Sequence, residues 1–185
     1  MRFIKRRAFT LVELLVVIAI IGLLSTVAVV ATSSAGVNAR NTRRKADMIQ
    51  VSKALELYYN ANNAYPSTSG NWYGHCSAYS GLPDIDPADF PSHFSWIPGL
   101  TAGGYMAKLP DDPRNGLANS TSVYAPCGSV GTHSCYVYRS DGVNYALLAY
   151  CAPEGTIPSS DPFYERHNVG EYKISSDPTA TDGWY

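Results

Sequence analysis

The feature that most restricts this chain is an almost unbroken apolar run, FTLVELLVVIAIIGLLSTVAVVA, from Phe9 to Ala31. A helix needs roughly 20 apolar residues to cross about 30 Å of hydrocarbon, so this stretch is long enough to span a bilayer. The eight residues before it, MRFIKRRA, carry Arg2, Lys5, Arg6 and Arg7 and no acid. Such a flank stays on the cytoplasmic side and sends the rest of the chain outward. A second basic group (Arg40, Arg43, Arg44, Lys45) opposes that bias only weakly, because it lies several residues beyond the span. No cysteine falls in or just after the run, which excludes a lipoprotein anchor.

One residue is out of place. Glu13 interrupts the apolar run near its start, where an ionised group costs on the order of 2–3 kcal/mol at full depth and less near the interface. A simple anchor has no use for it. Cleavage between Ala8 and Phe9 would create an α-amino group four residues before Glu13, and positions i and i+4 share a helix face. The new amine would then pair with its own Glu13 or with that of a neighbour displaced along a stack. In a low-dielectric bundle the attraction is strong but desolvation cancels much of it, so the pair sets register more than it adds stability.

The run KRRA–FTLVELLVVIAIIGLL resembles the class III signal of type IV pilins and type II secretion pseudopilins: a short basic leader, a cut before Phe, a glutamate five residues into the mature chain and a long aliphatic helix. The resemblance implies processing by a prepilin peptidase, N-methylation of Phe9, an inner-membrane assembly platform, and a filament of this and other pilins packed through their N-terminal helices. It also implies no enzymatic activity, with membrane lipid around the helix before assembly; no nucleic-acid partner is evident. The location implied is the cytoplasmic membrane, single-pass with the C-terminal part outside, and then a periplasmic or extracellular filament. Two departures stand out: Ala8 precedes the cut where Gly is usual, and Val30 stands where many pilins have a helix-breaking proline. Gly22 remains a point at which the helix can loosen. The alternative is an extracytoplasmic binding domain, secreted or membrane-anchored, that uses the segment only for export, with a signal peptidase cut after Ala35. Its apolar region should be about 7–15 residues, shorter than this one, and Glu13 would be misplaced inside it.

Between Ser33 and Asn63 there is no proline, and Gly36 is the only glycine. In DMIQVSKALELYYNANN, the residues Met48, Val51, Leu55 and Tyr58 recur at helical spacing, with Ile49, Ala54 and Leu57 broadening the stripe and Gln50, Lys53 and Glu56 facing away. ANNAYP then stops the helix, with asparagines suited to a C-cap and Pro66 barring continuation. The basic stretch Arg40–Lys45 is polar all round and reads as a solvated membrane exit, with anionic headgroups or acidic neighbours as its functional contacts.

Ser67–Ala107 is rich in Gly, Pro, Ser and aromatics and reads as loop, with a short helical piece around Asp86–Phe90. Strands are expected at Cys135–Tyr138, Tyr145–Tyr150 and Gly170–Ser175, the first two flanking the turn signal Asp141-Gly142. The expected fold is therefore α+β: a long N-terminal helix packed on a small antiparallel sheet with extended loops. Its parts are a leader (1–8), a membrane or filament-core helix (9–31), an amphipathic continuation (32–63) and a loop-rich β domain (64–185). Lys108-Leu-Pro-Asp-Asp-Pro113 is similar to the stretch before the sheet in G-type major pseudopilins, which extends the resemblance over most of the chain.

Four cysteines in an exported domain point to two disulfides, with three pairings possible. The short Gly-containing loop favours Cys127 with Cys135, leaving Cys76 with Cys151. His75-Cys76 and His133-Ser-Cys135 lack zinc-site spacing, and no nucleophile elbow or phosphate loop appears. Net charge is -1 and charged residues are 16%, so nothing in the bulk charge draws the chain to nucleic acid. No cofactor is expected. By resemblance to G-type pseudopilins, Asp177 and Asp182 are weak calcium candidates; the aspartates at 111, 112 and 141 read as solvated turn residues.

Overall fold

The structure, a computed structural model, describes residues 9–74, 96–115, 134–164 and 171–177, with side-chain detail absent for 27–33. The chain divides into two compact units, Met1–Ala39 and Arg40–Tyr185, and the boundary falls inside one helix.

That helix, α1, runs from Leu11 to Asn62. It starts at a side-chain cap on Thr10 and stops where the sequence predicts. Asn63 adopts φ 54°, its N–H donates to the Tyr59 carbonyl at 2.7 Å, and the Asn62 side chain donates to the Tyr58 carbonyl at 2.8 Å. An asparagine in the left-handed region satisfies the last carbonyls at little steric cost.

Four antiparallel strands follow: β1 Tyr73–Gly74, β2 Cys135–Ser140, β3 Tyr145–Tyr150 and β4 Tyr172–Ser175, in the order β1-β2-β3-β4. The β2–β3 register pairs Cys135 with Tyr150 and Ser140 with Tyr145. The turn between them uses Gly142 at φ 94° and the Asp141 carboxylate, which accepts the N–H groups of Val143 and Asn144 at 2.8 and 2.7 Å. The α+β class is as expected; the fourth strand is new. β1 has two residues, too short for an alternating pattern. Its Gly74 sits so close to β2 that an added Cβ would lie 2.6 Å from the Tyr136 carbonyl oxygen. The expected helical piece at Asp86–Phe90 lies outside the described residues.

Met48, Val51, Ala54 and Leu55 of α1 pack in one cluster with Tyr136, Tyr138, Tyr145, Leu147, Ala149 and Tyr172 of the sheet. Trp96, Ile97, Leu100 and Leu109, with Tyr65, Ala152 and Ile157, complete that core. The alternate strand positions Cys135, Val137, Ala146, Leu148 and Tyr150 join Trp72 in a second buried cluster, so both faces of β2 and β3 are buried. Two residues assigned to the core stripe depart from it: Ile49 is 40% exposed and Leu57 57%. At 100° per residue they lie too far round the cylinder from Val51 and Leu55 to reach the sheet.

Candidate functional site

At the start of α1 the motif Thr10-x-x-Glu13 closes on itself. The Thr10 N–H and hydroxyl both donate to Glu13 Oε2 at 2.8 Å, and the Glu13 N–H donates to Thr10 Oγ1 at 3.2 Å. This is a capping box, in which helix position N3 reaches back to the N-cap. The pattern is legible in the sequence once the helix start is fixed, and it engages the same carboxylate that the sequence marks as an assembly charge. Phe9 is 85% exposed beside it, and Ala8 lies outside the described residues. Every large apolar side chain from Leu11 to Leu24 is between 48% and 80% exposed. Covering side chains of this size is worth about 1.5–3 kcal/mol each, so the segment is built to be surrounded. Among the described residues no helix is long and apolar enough to cross a membrane; the described side chains of the run end at Thr26.

The basic segment after it is not a solvated exit. Arg44 is fully buried and donates to Asp112 twice, Nε to Oδ2 at 2.7 Å and Nη2 to Oδ1 at 3.1 Å. Its Nη1 donates to Glu154 Oε1 at 3.1 Å and to Asn41 Oδ1 at 2.8 Å. Arg40 forks onto the same glutamate, Nε and Nη2 each at 2.6 Å, and Arg114 adds a third guanidinium at 3.2 Å. The Asn41 amide donates to the Glu154 carbonyl at 2.8 Å. Lys45 pairs with Asp161 and lies 4.9 Å from the ring centre of Tyr172. Asp47 accepts from Tyr136 at 3.0 Å. Of the segment's cations only Arg43 stays mostly in solvent, with a loose 3.6 Å pair to Asp47. The acidic neighbours that this segment meets belong to its own chain. Arg44 precedes Met48 by four residues and so continues the stripe Met48–Val51–Leu55; that spacing was the available signal. Asp112 is likewise no solvated turn residue, and nothing around Glu154 singled it out.

Burial alone would raise the Glu154 carboxyl, but hydrogen bonds from Arg40, Arg44 and Arg114 outweigh it and hold the group down at about 2. Burial raises Asp47, against the Tyr136 hydrogen bond. A carboxyl depressed in the folded state adds stability that is complete above its unfolded value of 4.5 and is lost as pH falls through the folded value. The full-length chain in detergent should therefore hold its unfolding midpoint from neutral pH to about 5 and lose on the order of 3 kcal/mol between there and pH 2. Circular dichroism melts across that range test this; a loss already complete at pH 5 would assign the acid sensitivity elsewhere.

Cys135 and Cys151 are both disulfide-bonded, and Cys76 and Cys127 lie outside the described residues. Asp177 presents its carbonyl to the Ser175 hydroxyl at 2.8 Å, and Asp182 lies outside the described residues. Among the described residues no three His, Cys, Asp or Glu side chains converge as metal ligands.

Comparison with known proteins finds a match at the N-terminus and relatives that cover up to three quarters of the chain. Residues 4–29 match the prokaryotic N-terminal methylation motif. The chain is 31% identical over 140 residues to the type II secretion system core protein G of Pseudomonas aeruginosa, covering 75% of this chain and 86% of that one. It is 32% identical over 142 residues to that of Escherichia coli, covering 75% and 82%. Against that of Pectobacterium carotovorum it is 32% identical over 111 residues, covering 59% and 62%. No solved structure matches the chain. With the N-terminal methylation motif and relatives at 31–32% identity over 75% of its length, the chain belongs to the type II secretion system core protein G family of pseudopilins.

Proposed function

We propose that this chain is a structural, non-enzymatic subunit of a type II secretion pseudopilus, made as a precursor and assembled through its N-terminal helix. The segment Phe9–Ala31 holds the precursor in the cytoplasmic membrane with the unit from Arg40 onward outside. Prepilin peptidase cuts between Ala8 and Phe9, the new amine is methylated, and the assembly platform draws subunits out of the lipid into a helical stack. The observation that supports this reading is Glu13, the lone acid of the run Phe9–Ala31, whose large apolar side chains from Leu11 to Leu24 are all exposed and which directly follows a basic leader. Lipid covers such a helix before assembly and sister helices cover it afterwards, while Glu13 takes a neighbour's terminal amine.

N-terminal sequencing and intact mass of the protein recovered from membranes test the processing step. The expected chain begins at Phe9 and carries one methyl group. A chain that keeps MRFIKRRA, or one that begins at Gly36, would remove the amine on which the assembly role depends.

A further inference from the structure

Among the described residues of the unit Arg40–Tyr185, the large apolar side chains left exposed are Ile49, Leu57, Tyr59 and Val143. Tyr59 already packs on Tyr65, the rings tilted 33° with centres 4.7 Å apart. The other three form two patches. Ile49 and Leu57 stand two turns apart on the outer face of α1, with exposed Lys53 midway between them. Val143 is 72% exposed at the tip of the β2–β3 turn. It is held there by the carboxylate of exposed Asp141, whose Oδ1 fixes the Val143 and Asn144 N–H groups. One patch is an apolar pair around a cation; the other is an apolar knob beside an anion. They complement each other in both respects.

The two cannot meet within one molecule. The turn is tied just past the end of α1, where the Tyr65 N–H donates to the Gly142 carbonyl at 2.8 Å. Lys53 lies nine residues before the helix end at Asn62, about 14 Å down the axis. The sheet also packs on the side of α1 that carries Val51 and Leu55, away from the Ile49–Leu57 face. A second copy shifted along α1 by about that distance brings its outer face level with the first copy's turn.

We infer that Val143 and Asp141 of one subunit dock on the Ile49–Lys53–Leu57 face of the next, as a contact between globular units in the filament. The inference rests on the filament-subunit reading and names the surface that the reading leaves open. The contact joins different patches on successive copies, and the shift of about 14 Å along α1 that it requires keeps it from closing into a ring, so it repeats as a filament does. Glu56, exposed at the rim, accepts the Tyr65 hydroxyl at 3.0 Å, which keeps one of its oxygens engaged within its own subunit.

The test uses the full-length chain in filament-producing cells. A Leu57→Cys/Val143→Cys double variant, oxidised in assembled filaments, should give a ladder of covalent multimers on non-reducing gels, while either single variant gives no ladder. Lys53→Glu and Val143→Asp, both at exposed positions, should each lower filament yield at least tenfold with the monomer level unchanged. Filaments of the double variant without a ladder, or normal yield from both charge variants, would overturn this contact and leave the subunit reading intact. Absence of filaments from the unsubstituted chain would overturn the subunit reading, and the contact with it.

Discussion

Arg44→Met is expected to destabilise the globular unit by about 3–5 kcal/mol, the cost of removing one partner from a buried ion pair. Methionine fills much of the volume, so packing is not the main loss. What remains is Asp112, buried, with both guanidinium hydrogen bonds gone and, among the described residues, only the Arg114 N–H at 2.8 Å left to its Oδ1. Glu154 fares better, because Arg40 and Arg114 still hold it. For a unit of this size the loss corresponds to roughly 10–15 °C in Tm. The decisive companion is Arg44→Met/Asp112→Leu. Removing both charges leaves no stranded carboxylate, so the double variant should recover at least half of what the single variant loses. Thermal melts of the full-length chain in detergent measure both. A double variant as unstable as the sum of its singles would mean that Arg44 acts through shape rather than charge.

The same cluster explains what could and could not be read from the sequence. β3 and most of β2 were legible because aromatic and aliphatic runs flank an Asp-Gly turn, and the helix stop was legible because asparagines precede Pro66. These signals are local. The ionic cluster joins α1 to residues 68 and 110 positions further on, and no local pattern encodes such a partner. Only the helical phase of Arg44 pointed inward, and its charge argued against taking that phase literally. β1 escaped for a related reason, since two residues carry no periodicity and its pairing with β2 spans a long stretch of chain. Ile49 and Leu57 show the converse error. Hydrophobicity marked them as core, whereas their angle around α1 places them outside it, where a neighbouring subunit can use them. At the N-terminus Glu13 stands out by its place inside an apolar run, whereas its engagement with Thr10 depends on where the helix starts.

That engagement sets up the sharpest test of the assembly role. Glu13→Ala removes two things at once: the capping box, worth about 1 kcal/mol, and the carboxylate that would meet a neighbour's terminal amine. If the second matters, each subunit in the stack keeps an unpaired ammonium group among aliphatic side chains, a cost of several kcal/mol per contact. Insertion and the fold of the unit from Arg40 onward should be unchanged, because Glu13 touches only Thr10 among the described residues. Filament yield should fall by at least a hundredfold, and Glu13→Lys, which adds a second cation, should fare no better. Glu13→Gln separates the two roles. Its amide oxygen can still accept the Thr10 N–H and hydroxyl, so the cap survives, but the negative charge is gone. Glu13→Gln is therefore expected to be about as defective as Glu13→Ala when pelleted filaments are compared with membrane-held subunit. If Glu13→Gln assembles normally, helix capping is enough and the proposed pairing with a neighbour's amine is wrong.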